Sequence, residues 1–135
     1  MSRLTSFTFG THLAGSVAEE RPRVEAALKA EGFGVLTEID VQATMKAKLG
    51  VERPPMVILG ACNPALANAA LDADPSVGAL LPCNVVLRQV DDGTLLEVID
   101  PLSMLAVVER AGVDVVAKEA RARLARVVDS LEQPS

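Results

Sequence analysis

The 135-residue chain predicts one α+β domain over 1–135, a two-layer sandwich with helices on one face of a mainly antiparallel or mixed sheet of about five strands. Three observations lead there. Strand-like and helix-like stretches alternate through the first half; a hairpin follows, which joins its strands antiparallel; and the chain closes on a long helix that is apolar on one side. A doubly wound parallel sheet is the rival arrangement, and the hairpin and small strand number weigh against it.

Taken in order, Leu4 to Phe9 alternates and would place Phe7 and Phe9 on one face of a first strand. Ser16 and Glu19 have capping-box spacing, Val24, Ala27 and Leu28 give a helical face, and Gly32 stops it. Pro22 fits only near a first turn, so the regular helix is expected to begin as late as Glu19 to Arg21. Phe33 to Ile39 reads as a strand, and Asp40 can cap a short helix, Val41 to Leu49, that ends at Gly50. After the linker Glu52-Arg53-Pro54-Pro55, the apolar run Met56 to Ala61 reads as a buried strand.

Asn63-Pro64 is a capping residue followed by a residue suited to the first helical position, because proline has no N–H to leave unpaired. A helix from Pro64 to about Asp72 follows, closed by Asp74-Pro75. Cys83 to Val90 and Thr94 to Ile99 are the hairpin strands, turning at Asp91-Asp92-Gly93. With Asp92-Gly93 as the loop, Val90 would face Leu95, Arg88 would face Glu97 and Val86 would face Ile99. Cys83, Val85 and Leu87 would then share a face with Leu96, Val98 and Asp100, and Asp100 would lie diagonal to Cys83. Asp100-Pro101 repeats the capping device and should open a helix reaching Arg110, with Gly112 separating it from the last helix. There Val113, Ala117, Ala120, Leu124, Val127 and Leu131 recur every three or four residues, which directs one side at the sheet. Lys118, Arg121, Arg123 and Arg126 take the remainder as a solvated face.

Composition excludes whole classes of function. A net charge of −5, three phenylalanines and no tyrosine or tryptophan leave neither a basic stripe nor a stacking platform, so nucleic acid is not a partner. MSRLTSFTFG lacks the apolar segment of a signal peptide, and Val77 to Leu87, broken by Pro82 and Asn84, falls short of the roughly 20 residues that span a bilayer. A soluble, cytoplasmic protein with no membrane partner is expected. Its two cysteines should then be free thiols rather than a structural disulfide.

Those thiols carry the candidate chemistry. Cys62 lies just before a helix N-terminus, where the dipole favours an anion and can activate a thiol. Cys83 enters a strand beside Asn84, with Asp100 expected nearby. If Cys62 and Cys83 converge, they could form a reversible disulfide or give two ligands to a soft metal. Against that, free cysteine is often a small buried hydrophobe, and Asn63 and Asp100 are employed as caps. A closed zinc site would need His12 and a carboxylate to join both cysteines from distant segments, and nothing places His12 for a catalytic triad. No cofactor is named, since Gly32-Phe33-Gly34 precedes a strand instead of linking a strand to a helix.

GFGVLTEIDV (Gly32 to Val41), LGACNPALANAAL (Leu59 to Leu71), LLPCNVVL (Leu80 to Leu87) and VIDP (Val98 to Pro101) together resemble the domain of unknown function 302 family over roughly Ser16 to Ser130. The resemblance implies a two-layer α+β sandwich with a sheet topology like the TATA-binding-protein repeat, commonly paired as a homodimer. It implies no activity. The reading is therefore a small binding or interaction domain with a small-molecule pocket at strand ends around Cys62, Asn63, Cys83, Asn84 and Asp100. Thiol redox or sulfur transfer through Cys62 and Cys83 is the alternative, and soft-metal binding by the same pair a further one.

Overall fold

The computed structural model describes residues 1–132. Its elements run β1 (Ser2–Arg3), β2 (Thr8–Leu13), α1 (Val17–Ala30), β3 (Gly34–Asp40), α2 (Val41–Leu49), β4 (Met56–Cys62), α3 (Pro64–Ala73), a 3-10 helix (Pro75–Leu80), β5 (Cys83–Val90), β6 (Gly93–Ile99), α4 (Pro101–Leu105) and α5 (Ala111–Leu131). The strands form one antiparallel sheet of six, ordered β1-β2-β6-β5-β4-β3. The α+β class expected from the sequence holds. The extra strand, β1, has two residues, too few to carry a periodicity.

Helix starts follow their caps. Ser16 and Glu19 make a reciprocal capping box, Asp40 accepts from the Ala43 N–H at 2.9 Å, and Asn63 accepts from the Leu66 N–H at 3.2 Å. Each satisfies N–H groups that the first turn leaves without helical partners. Helix α1 begins at Val17, earlier than expected, and Pro22 lies inside it. The proline forfeits the bond to the Ala18 carbonyl, but Ala18 and Pro22 are both exposed to solvent, while Val24 and Leu28 anchor the helix in the core.

Four expectations are corrected. The first strand is Thr8–Leu13 rather than Leu4 to Phe9, because Leu4 to Thr8 folds on itself: the Leu4 N–H bonds the Thr8 carbonyl at 3.1 Å, and the Phe7 N–H bonds the Thr5 hydroxyl at 3.1 Å. Phe9 therefore enters the core while Phe7 stays 54% exposed. The hairpin turns at Asp91-Asp92, with Val90 opposite Gly93, Arg88 opposite Leu95 and Val86 opposite Glu97. Gly93 is drawn into the strand by close approach: a Cβ there would lie 2.2 Å from the Leu13 carbonyl oxygen. A slide of two residues preserves the faces, and Arg88 reaches Glu97 diagonally at 3.5 Å. Helix α4 stops at Leu105, where a tighter turn takes over through the Val108 N–H to Leu105 carbonyl bond. Gly112 lies inside the first turn of α5 and does not precede it; a Cβ there would come within 3.0 Å of the Ala73 Cβ, so the small residue permits contact between α5 and α3.

The main core lies between the sheet and helices α1 and α5, with Phe9, Leu59, Val85, Leu87, Leu96 and Val98 meeting Val24, Leu28, Leu124 and Val127. A second cluster, Ala70, Val77, Leu105, Val113, Val116 and Ala117, joins α3, the 3-10 helix, α4 and α5. All six apolar positions expected on the last helix are buried. The opposite sheet face is partly open. Ile39, Ile58 and Val86 stand in one row across β3, β4 and β5, beside a groove lined by Phe7, Met56, Asn84, Arg88, Glu97 and Ile99. Among the described residues, no helix is long and apolar enough to cross a membrane.

Candidate functional site

Strands β4 and β5 pair with Ala61 opposite Cys83, which sets Cys62 one residue beyond that pair, where β4 turns into α3. Both cysteines are free and both border the same apolar cavity of about 40 Å³. Asn63, Leu66, Ala67 and Ala70 form its α3 side, Pro101 and Leu105 come from α4, and Val116 and Ala120 from α5. Phe33, Ala61, Leu81 and Pro82 complete it. The volume suits a few heavy atoms, since one water needs roughly 10–15 Å³ measured this way.

The thiols differ in environment. Cys62 is partly exposed, whereas Cys83 is 7% exposed. Burial pushes the Cys83 thiol up to about 11, and the neighbouring Cys62 pushes in the same direction. Cys83 is therefore a protonated thiol at neutral pH. The α3 N-terminus faces this end of the strands, with the Asn63 side chain occupied by the cap.

Two residues grouped with the cysteines from sequence lie apart from the cavity. Asn84 is exposed on the opposite sheet face, in the groove with Val86 and Ile99. Strand alternation dictates this, since Cys83 points to the helices. Asp100 is 1% exposed, and its carboxylate accepts from Arg3 Nη2 at 2.8 Å, Arg121 Nε at 3.2 Å and the Leu102 N–H at 2.9 Å. Burial opposes its ionisation, but Arg3, the Leu102 N–H and Arg121 outweigh that and hold its carboxyl below the ordinary value. Arg121 also lies over the Phe9 ring, 5.7 Å from its centroid. Asp100 touches the candidate site only through its neighbour Pro101. The Arg3 and Arg121 partnership was missed from sequence, where Arg121 read as solvated.

The other basic residues of α5 are tied down as well. Lys118 pairs with Asp114, Arg123 with Glu119 and Arg126 with Glu31. His12 contacts Asp92 at 3.0 Å beside the hairpin turn. It pairs with Leu95, opposite Arg88, which puts it roughly 17 Å along the strand direction from Cys83. The zinc and triad assemblies that would have needed it at the cysteines are not formed. Among the described residues, no three His, Cys, Asp or Glu side chains come together as a metal-binding group.

Fold and site define a class: a two-layer α+β domain on a six-stranded antiparallel sheet, with a small thiol-lined cavity where two strand ends meet two helix starts. Within that class, the chain belongs to the family described as domain of unknown function DUF302, whose model matches residues 9–131. It is similar to an uncharacterized conserved DUF302 protein from Bacillus stearothermophilus known from a crystal structure, with 31% identity and a TM-score of 0.85, covering 93% of this chain and 98% of that one. No curated protein matches the chain.

Proposed function

We propose that the chain is a cytoplasmic small-ligand-binding domain, working as a homodimer, that takes its ligand in the cavity at Cys62, Asn63 and Cys83. The carrying observation is the shared lining: Cys62 and Cys83, both free, border one apolar space. The half-open row Ile39, Ile58 and Val86 supports pairing with a second copy, because a contiguous apolar strip on a sheet face is costly to leave in water. Xenon pressure on methyl-labelled protein tests the cavity. Shifts at Leu66, Leu105 and Val116 are expected, and shifts absent there or confined to other residues refute it. Sedimentation tests pairing in the same sample: a dimer that Ile58→Lys converts to monomer supports it, and a monomeric parent chain refutes it.

Thiol redox or sulfur transfer with Cys62 as the reacting group is the second reading, favoured by its greater exposure than Cys83. Oxidation by diamide should then join the two sulfurs within one chain, with loss of two protons and two electrons. Absence of that intramolecular bond removes the reading.

A further inference from the structure

We propose that the cavity between α3, α4, α5 and the strand ends takes uncharged, apolar molecules of up to roughly four heavy atoms, a ceiling set by four alanines in its wall, and excludes ions, hydrogen-bonding molecules and anything as large as benzene. The proposal names the ligand class for the cavity reading and rests on it.

The space lies on the seam between the two cores. Phe33, Ala61 and Cys83 belong to the main core, whereas Ala70, Leu105 and Val116 belong to the cluster under α3 and α4. Ala61 on β4, Ala67 and Ala70 on α3, and Ala120 on α5 stand around the gap. One larger side chain at any of these positions would take up the space, as Leu, Val and Phe do elsewhere in the core. Alanine at all four keeps it open. The helices are limited in how far they can close on it, because α5 already meets α3 at Gly112, where a Cβ would lie 3.0 Å from the Ala73 Cβ.

Size follows from the volume. About 40 Å³ corresponds to roughly three or four water-sized positions at roughly 10–15 Å³ each, so roughly three or four heavy atoms fit and a benzene ring does not. The way in is visible as well. Ala61, Ala70, Leu105 and Ala120 are buried, whereas Leu66, Ala67, Leu81 and Pro82 are half-buried and form the mouth.

Polarity follows from the lining. No Asp, Glu, Lys, Arg or His borders the cavity. The Asn63 side-chain oxygen already accepts from the Leu66 N–H at 3.2 Å, and among the described residues no buried side-chain nitrogen or oxygen lacks a partner. An ion would give up its water here with nothing to replace it, and an amide would forfeit hydrogen bonds. Cys83 brings no charge, since burial keeps its thiol protonated at neutral pH. Apolar surface leaving water is the gain that remains.

Propane dissolved under pressure is the probe, read on the methyl-labelled full chain. Saturable shifts are expected at Leu66, Leu105 and Val116, while acetate, methylammonium, acetamide and benzene at matched concentrations leave those methyls in place. Ala67→Leu fills the mouth and should weaken propane binding by about tenfold or more. Ala120→Val replaces it if circular dichroism shows the leucine variant unfolded. No propane shift, an equal response to benzene, acetamide or either ion, or undiminished propane binding by a folded filling variant overturns the proposal. Xenon shifts alongside any of those results overturn the ligand class and leave the cavity a binding site; absence of xenon shifts as well overturns both readings.

Discussion

Replacing Asp100 by asparagine isolates the charge of the buried carboxylate that ties β1, α4 and α5 together. Asparagine keeps the shape and an oxygen for the Leu102 N–H, so the cap survives and the ion pairs to Arg3 and Arg121 are lost. Breaking a fully buried pair costs about 3–5 kcal/mol, because the remaining charge is stranded. Here Arg3 and Arg121 are 49% and 29% exposed and can turn to water, which lowers the expected loss to about 2 kcal/mol. At about 4 °C per kcal/mol for a chain of this length, the midpoint should fall by roughly 8 °C. Asp100 has a depressed carboxyl pKa in the fold, so its contribution is present above the unfolded value of 3.8 and is lost as pH falls through the folded one. Asparagine does not titrate. Urea and thermal denaturation followed by circular dichroism should therefore show the full gap at pH 7 and a narrowing gap below about pH 4. A gap unchanged at pH 3, or a variant as stable as the parent at pH 7, would refute the reasoning.

Two further outcomes follow from the geometry. Cys83, with its thiol raised to about 11, should resist iodoacetamide at pH 8 in the folded protein and contribute stability that is present below the unfolded thiol range and lost as pH rises through about 11; Cys83→Ala should flatten the alkaline fall in urea midpoint, and an equal fall in both proteins contradicts this. Gly10→Ala should cost about 2–3 kcal/mol, because the new Cβ would fall 1.8 Å from the Leu96 carbonyl oxygen and force β2 away from β6. Hydrogen exchange should quicken in that ladder first, and unchanged protection of β2 would count against the contact.

What was legible in the sequence was local. Ser16 with Glu19, Asp40, Asn63-Pro64 and Asp100-Pro101 all start helices as their chemistry dictates, since a cap acts within three residues of itself. The apolar side of α5 was equally plain. That Cys62 and Cys83 border one cavity was only a possibility, because it depends on the register of β4 against β5 across a connection that contains α3 and the 3-10 helix. The partners of Asp100 lie 97 and 21 residues away, and no spacing rule reaches that far. Asn84 is a different case: alternation along β5 separates it from Cys83 and could have been applied from sequence alone.

The two capping devices end in opposite electrostatic roles although they share one local logic. Both follow a strand, both accept from a first-turn N–H, and both are succeeded by a proline, of which Pro101 lines the cavity and Pro64 is exposed. At position 100 the cap is charged, and two guanidinium groups neutralise it away from the cavity. At position 63 the cap is neutral and sits directly after Cys62. A carboxylate in that place would set a fixed negative charge beside two thiols and oppose the thiolate form of either. The neutral cap leaves the α3 dipole uncancelled at the strand end, where a thiolate at Cys62 would gain from it. The Asp100 end is thus neutralised by two guanidinium groups and serves cohesion, whereas the Asn63 end carries no charge of its own beside Cys62.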